Sequence, residues 1–121
     1  MGLDFIYVNA YMYFMRDLAL LYAALSDETR LRLLCLMKDE EICVCHLQQV
    51  LRISQPKVSR HLAYLKKAGL VTSRRQGKWM HYRPAEMRGA RKRIFSETLA
   101  HLAAEPRARK DGRRLKGMWC I

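Results

Sequence analysis

Acidic side chains are scarce in this sequence: 11 Asp and Glu stand against 23 Lys and Arg, which leaves a formal net charge of +12. This balance favours a polyanionic partner, either nucleic acid or an anionic membrane surface. We favour nucleic acid over a merely solvated basic surface, because the charge accompanies the helix-turn-helix pattern described below.

Enzyme signatures are missing as well. The sequence has no glycine-rich loop that would cradle a phosphate, and no nucleophile has an evident base partner. Cys43 and Cys45 form a C-x-C pair, but no thioredoxin-like βαβ pattern surrounds them, which disfavours the alternative of a thiol oxidoreductase. We therefore predict a protein that is not an enzyme, with no catalytic residue and no required cofactor.

Residues 1–25 show neither a signal-peptide layout nor a clean membrane span, because Arg16 and Asp17 interrupt the apolar run. We expect a cytoplasmic protein without a membrane partner, whose thiols stay reduced. In a reducing compartment a C-x-C pair is a metal or redox site more often than a structural disulfide.

Helical spacing begins near Phe14. Apolar residues form one stripe at helical spacing: Phe14, Leu18, Leu21 and Leu25. The stripe predicts a first helix over about 12–25, which packs on the core or on a second subunit. Ser26 is predicted to be the N-cap of the second helix. The inward face of that helix is predicted to hold Leu31, Leu34 and Cys35, with the thiol as a small core hydrophobe.

A helix-turn-helix pattern follows a polar connection over residues 39–42. A short helix is marked by Leu47, Val50 and Leu51 and ends near Arg52. The next helix has Ser54 as its N-cap, Pro56 in its first turn and Gly69 just past its end.

The period then changes to that of strands. Residues 70–83 predict a β-hairpin that turns at Gly77 and carries Arg74, Arg75 and Lys78. Two helices followed by such a hairpin make a winged helix-turn-helix. The predicted fold class is mainly α (α+β), with about five helices and a two-stranded β wing.

A last helix, broken by Pro106, is predicted from its apolar positions: Met87, Ala90, Ile94, Thr98 and Leu102. Residues 107–116 hold six basic residues and one acid, which predicts a mobile tail that touches phosphates. We therefore divide the chain into an N-terminal segment, 1–11, without a clear pattern, one DNA-binding domain, 12–105, and a basic C-terminal tail, 106–121.

The chain also resembles a known family. The motifs L-S-D-E-T-R-L-R-L-L, E-I-C-V-C-H-L, S-Q-P-K-V-S-R-H-L and R-R-Q-G-K-W-M-H-Y-R, between about Leu18 and Arg83, resemble the ArsR/SmtB family of metal-sensing repressors, in particular its arsenic-responsive branch. The resemblance implies a homodimer formed through the first and last helices. It also implies binding to double-stranded DNA, at an operator that is an imperfect palindrome. Arsenite or antimonite binding to cysteines would release that DNA.

One position departs from the branch. A third cysteine is common there five residues after the first, and Gln48 occupies that position here, so the resemblance covers Cys43 and Cys45 only. A third ligand would come from Cys120 or Cys35. The two thiols cannot hold one ion if both cysteines stay helical, because residues two apart on a regular helix point about 200° from each other. We therefore expect binding either to unwind the start of their helix or to capture a form that is already frayed.

Thiolates select soft ions, which fits As(III) or Sb(III) as the inducer. A structural zinc site takes four ligands. The family's zinc site on the last helix needs an acid-x-His pattern and a later His, and that helix offers only Glu97 and His101. The family's cadmium and lead site draws cysteines from the N-terminal segment, and residues 1–34 contain none. A sensor of cadmium or lead and a thiol redox-responsive repressor remain as alternatives.

For DNA, the fold would place the helix over 55–68 in the major groove and the wing at the backbone or minor groove. Arg60 can bond guanine with two hydrogen bonds, and Ser54 at the helix start can bind a phosphate. The sequence does not decide whether His61 has a structural role or contacts the DNA backbone. The full set of predicted DNA contacts is Ser54, Gln55, Lys57, Ser59, Arg60, His61, Arg74, Arg75 and Lys78.

Overall fold

A computed structural model describes residues 2–38 and 40–118, with the side chains of the first helix described from Phe14 onward. Along the chain the elements are α1 (Gly2–Leu25), α2 (Glu28–Met37), β1 (Ile42–Cys43), α3 (Val44–Leu51), α4 (Gln55–Lys67), β2 (Val71–Gln76), β3 (Trp79–Pro84), α5 (Gly89–Leu102) and α6 (Pro106–Lys116). The mainly helical α+β class is confirmed, with one helix and one strand more than predicted.

The first helix is longer than its apolar stripe, because it begins at Gly2 and includes the segment that gave no prediction. The stripe itself divides between two environments. Leu21 is fully buried, whereas Phe14 is 76% exposed and Leu18 is 42% exposed. Among the described side chains of α1, from Phe14 onward, those at the C-terminal end pack on the core of this chain.

The prediction that Ser26 caps the second helix is wrong. Asp27 is the N-cap, and its carboxylate accepts the backbone N–H of Arg30 at 3.0 Å. The Ser26 hydroxyl instead donates to the carbonyl of Ala23 at the end of α1. Partial burial opposes ionisation of Asp27, but that hydrogen bond and the Arg30 charge hold the pKa of its carboxyl below the usual value.

The core lies between α2, α3, α4 and the sheet. The predicted inward face of α2 is only partly right, because Leu34 is buried while Leu31 and Cys35 are half-buried. A fully buried Leu33 and a buried Leu36 face the core in their place. The other largest buried side chains of the core are Leu21, Met37, Leu47, Leu62, Leu65 and Leu70.

The recognition-helix boundaries are confirmed. Ser54 is the N-cap of α4 and Pro56 lies in its first turn. At the other end Gly69 adopts φ +77°. Its amide donates to Lys66, and the amide of Leu70 donates to Leu65, both at 3.0 Å, which is the Schellman pattern of helix ends.

We expect Gly69→Ala to lower the free energy of unfolding by about 1–2 kcal/mol, because a side chain is strained at positive φ. The added Cβ would also lie 3.0 Å from Nη2 of Arg91. Gly77→Ala is the matched control for strain alone, since Gly77 also has positive φ, +63°, but has nothing within 4 Å of a Cβ. It should therefore be destabilised less than Gly69→Ala. Urea unfolding of both variants measures the difference, and a Gly69→Ala protein as stable as wild type would contradict the expectation.

The predicted hairpin is confirmed, and it turns at Gly77 between β2 and β3. It belongs to a three-stranded antiparallel sheet of order β1-β3-β2. The extra strand, β1, pairs Ile42 with Tyr82 and Cys43 with His81. A strand of two residues is too short to show a period in the sequence, so the prediction of a polar connection up to Ile42 missed it.

The prediction of a mobile tail over residues 107–116 is wrong, because Pro106–Lys116 form α6. Glu105 caps this helix by accepting the backbone N–H of Ala108 at 2.9 Å, and Pro106 opens its first turn. The basic composition of this segment gave no sign that its one acidic residue, Asp111, is buried and only 2% exposed. Residues 119–121 lie outside the described residues.

α6 lies beside α2 and runs parallel to it. Arg107 pairs with Glu28 at 3.3 Å, and one turn further along both helices Asp111 accepts two hydrogen bonds from Arg32, at 2.8 and 2.9 Å. Arg114 donates to the carbonyl of Val50 at 3.2 Å. α6 therefore holds both α2 and α3.

No helix in the described ranges is long and apolar enough to cross a membrane.

Candidate thiol site and nucleic-acid interface

The thiols of Cys43 and Cys45 lie together, with their Sγ atoms 2.8 Å apart. Two bonds of about 2.3 Å from one ion hold sulfurs no more than about 4.6 Å apart. The pair is therefore close enough to share an ion without unwinding of the helix. This fits the alternative of a helix start that is already open, because Cys43 lies outside the helix.

The close approach of the two thiols has a local cause. Cys43 is the last residue of β1 and the N-cap of α3, with extended backbone at φ −67° and ψ 139°. Cys45 lies in the first turn of α3, so only one of the two cysteines is helical. The strand-to-helix bend turns both side chains to the same side. Cys43 is 3% exposed, and Cys45 is partly exposed at the edge of the site.

A third sulfur does not join this pair within the part of the chain that the structure describes, where no three or more His, Cys, Asp or Glu are grouped as a metal site. Cys35 lies on α2 and lines the cleft that faces α5 and α6. Burial raises the pKa of the Cys35 thiol. Cys120 lies outside the described residues, so the prediction of a third ligand there stays a prediction.

The thiol strand is joined to the wing. Cys43 pairs with His81 on β3, and His81 pairs with Arg74 on β2, so the three residues form one cross-strand row. Glu41, just before β1, accepts a 2.8 Å hydrogen bond from Nε of Arg74. This bond and the Arg74 charge lower the pKa of the Glu41 carboxyl. Glu41 was missed, because nothing in the sequence indicates a partner 33 residues away.

Most of the predicted DNA contacts on α4 lie at the protein surface. Four of the predicted contacts on and before this helix are exposed: Ser54, Gln55, Lys57 and Arg60. Ser59, at the side of the helix, is partly buried. The Ser54 side chain makes no capping hydrogen bond, so its hydroxyl is available at the helix N-terminus. On the wing Arg74, Arg75 and Lys78 are exposed, and Lys78 lies over the ring of Trp79.

His61 is not among these exposed residues. Its Nδ1 is 3.8 Å from a carboxylate oxygen of Asp27 and 3.5 Å from Nη1 of Arg30. The Arg30 guanidinium also lies over the ring of Tyr64, 4.2 Å from its centroid, and donates to the carbonyls of Ala23 and Ala24. This environment favours the structural role that the sequence left open for His61.

Arg91 is a second connecting residue that the sequence did not reveal. From α5 it donates to the carboxylate of Asp17 on α1 at 2.7 Å, and to the carbonyl of Ala68 at the end of α4. Arg30 and Arg91 therefore join the first helix to the recognition helix from two sides. Either arginine could equally have been solvated, so only the tertiary contacts distinguish them from the other basic residues.

Two helices, α3 and α4, followed by the hairpin β2–β3 define the class of this protein, a winged helix-turn-helix. A solved structure supports the fold over most of the chain. The homodimeric winged helix-turn-helix DNA-binding domain from Mycobacterium bovis is 27% identical with a TM-score of 0.65, and the match covers 78% of this chain and 88% of that one.

The family follows from sequence comparison. The family model for bacterial regulatory proteins of the arsR family matches residues 27–73. An uncharacterized HTH-type transcriptional regulator of Methanocaldococcus jannaschii is 42% identical over 63 residues, which are 51% of this chain and 71% of that protein. The chain belongs to the arsR family of regulatory proteins, which agrees with the prediction that it is not an enzyme.

One relative carries a more specific name. The arsenical resistance operon repressor of Escherichia coli strain K12 is 53% identical over 64 residues, which are 52% of this chain. The chain spans 55% of the length of that relative.

Proposed function

We propose that this protein is a cytoplasmic transcriptional repressor that binds its operator as a homodimer and releases it when Cys43 and Cys45 bind trivalent arsenic or antimony. The observation that carries the proposal is the 2.8 Å approach of the two Sγ atoms at the start of the helix that precedes the recognition helix. Two adjacent thiolates are ligands for soft ions. The name of the Escherichia coli relative supports an arsenic-type inducer.

The position of the pair provides a route from inducer to DNA. α3 ends in a left-handed residue, Arg52 at φ 56°, whose amide donates to the carbonyl of Gln48 at 2.9 Å. This turn leads directly to Ser54, the N-cap of α4. An ion bonded to both sulfurs would reset the spacing between β1 and the start of α3, and such a shift would tilt the recognition helix at the other end of α3. A coupling of this kind is typically worth about 1–3 kcal/mol per ligand.

Exposed apolar side chains on α1 support the homodimer. Phe14, Met15 and Tyr22 are 76%, 71% and 54% exposed, and large apolar side chains that are exposed together on one helix are typical of protein–protein interfaces. The half-buried Ile94 on α5 lies along a groove beside Tyr22 and Leu25. We propose that α1 and α5 form the dimer interface. α5 is the helix that the sequence predicted as last, and α6 follows it.

A two-fold dimer would present two recognition helices, so we propose an imperfect palindrome as the operator. The exposed face of α4 would enter the major groove, with Arg60 toward a base edge. Arg75 and Lys78 on the wing would meet phosphates beside it.

A gel shift tests the whole proposal. The full chain would be bound to the native upstream duplex at moderate salt and titrated separately with arsenite, antimonite, cadmium and zinc, and with a thiol oxidant. We expect release by arsenite and antimonite at the lowest concentrations. Release by cadmium alone or by the oxidant alone would instead support the alternative sensors, and no binding to DNA would overturn the proposal.

Arg60→Ala should weaken binding to the cognate site by about 1–3 kcal/mol and relax the base preference at one position per half-site. Lys57→Ala is the matched control on the same exposed face, because loss of a phosphate contact weakens all duplexes alike and lowers the salt dependence. Fluorescence anisotropy with single-base variants of the operator measures both effects. Equal losses on cognate and unrelated duplexes for Arg60→Ala would contradict our placement of this residue.

A further inference from the structure

The ion pair between Glu41 and Arg74 joins the thiol strand to the wing through side chains. Nε of Arg74 donates to Oε2 of Glu41 at 2.8 Å, and Nη2 of the same guanidinium lies 2.5 Å from Oε1. A contact at two points between a planar guanidinium and a carboxylate fixes the orientation of both groups. The residue that enters β1 and the middle of β2 are therefore held in one relative geometry.

This contact lies beside the thiol pair. Glu41 is two residues before Cys43, with only Ile42 between them. Across the sheet Cys43 pairs with His81 and His81 pairs with Arg74, so Arg74 is two strands away from Cys43 in the same row. Oε1 of Glu41 also lies 4.0 Å from Nδ1 of His81. One carboxylate thus lies against both strands of the wing, and a displacement of β1 displaces it too.

Arg74 differs from its two exposed basic neighbours on the wing. Within the described residues, Arg75 and Lys78 make no ion pair with an acidic side chain, and Lys78 lies over the ring of Trp79. The charge of Arg74, in contrast, is already balanced by Glu41. The wing therefore offers Arg75 and Lys78 to DNA phosphates, whereas Arg74 is engaged by the thiol strand.

We propose that the Glu41–Arg74 pair positions the wing and transmits ligand binding at the thiol pair to it. This inference rests on the proposed function and adds a second route beside the tilt of α4. An ion bonded to both sulfurs shifts β1, and the ion pair carries that shift to β2, the strand that presents Arg75. A displaced wing loses phosphate contacts, so the operator is released more completely than a tilt of α4 alone would release it.

The test is the factor by which arsenite raises the operator Kd of the full chain, measured by fluorescence anisotropy. Glu41→Gln should lower this factor at least about fivefold, because a neutral amide holds the guanidinium less firmly. Glu40→Gln is the matched control and should keep the wild-type factor, since Glu40 is exposed and makes no ion pair among the described residues. Both variants lose one negative charge, so a general gain in affinity for DNA is common to them.

A double-mutant cycle shows whether the two side chains act as one unit. Arg74→Gln should lower the factor as much as Glu41→Gln, and the two substitutions together should lower it no further. Additive losses, or a Glu41→Gln protein with the wild-type factor, would overturn the inference. All variants should unfold at the urea concentration of wild type, because surface pairs contribute little to folding. A loss of stability that parallels the loss of coupling would show a structural role instead and would also overturn it.

Measurements without DNA separate this inference from the proposed function. Hydrogen exchange of the wing, residues 71–84, should change when wild type binds arsenite and should not change in Glu41→Gln, while calorimetry shows equal arsenite binding by both. If the wing responds in this way but arsenite does not release the operator, the proposed function fails and the positioning contact stands. If arsenite releases the operator but the wing responds equally in both proteins, the positioning contact fails and the proposed function stands.

Discussion

Cys43→Ser and Cys45→Ser are expected to bind the operator like wild type and to remain bound at arsenite concentrations at least about a hundredfold above those that release wild type. Both sulfurs lie at the start of α3, whereas the exposed face of α4 and the wing carry the proposed DNA contacts. Replacing one sulfur leaves a single thiolate, which cannot bridge β1 and α3. Anisotropy titrations with and without arsenite would measure both properties on one sample.

Two further variants complete this experiment. Cys35→Ser should keep the arsenite response, because Cys35 lines the cleft toward α5 and α6. Cys43→Ala covers the case in which a serine hydroxyl is not tolerated at a position that is only 3% exposed. Loss of operator binding by both apo Cys45→Ser and Cys43→Ala would show that the thiols and the DNA contacts are not separate.

Asp111→Ala should lower the free energy of unfolding by about 3 kcal/mol, because it leaves the guanidinium of Arg32 without its partner at a buried contact. We expect the lower end of the range for broken buried pairs, since 23% of the Arg32 side chain remains in contact with water while Asp111 keeps only 2%. Both hydrogen bonds of the two-point contact, at 2.8 and 2.9 Å, are lost together. Urea unfolding at fixed protein concentration would measure the change.

Glu28→Ala is the matched control, because it removes the other ion pair between α2 and α6 at a site where both side chains are more than half exposed. Exposed pairs contribute about 0–1 kcal/mol, so this variant should be close to wild type. If Asp111→Ala were as stable as Glu28→Ala, the pair would not be what holds α6.

Local patterns in the sequence determined most of the architecture. The recognition helix was predicted from Ser54, Pro56 and Gly69, because caps act through backbone groups within one turn of the helix end. The hairpin followed from its change of period and from Gly77, which adopts the positive φ that the turn requires. The C-x-C pair also stood out in the sequence, since two cysteines at this spacing restrict the chemistry to a few classes.

Tertiary structure decided what depends on distant partners. β1 forms because it pairs with β3, and its two residues are too few to show a strand period in the sequence. This pairing keeps Cys43 extended and places its thiol beside that of Cys45. α6 was not predicted, because six basic residues in a short segment resemble a solvated tail. The segment packs as a helix because Arg32, 79 positions away, is the partner of Asp111. The roles of Arg30, Glu41 and Arg91 are likewise set by residues far along the chain, because the composition around a charged side chain does not reveal which partner it will meet.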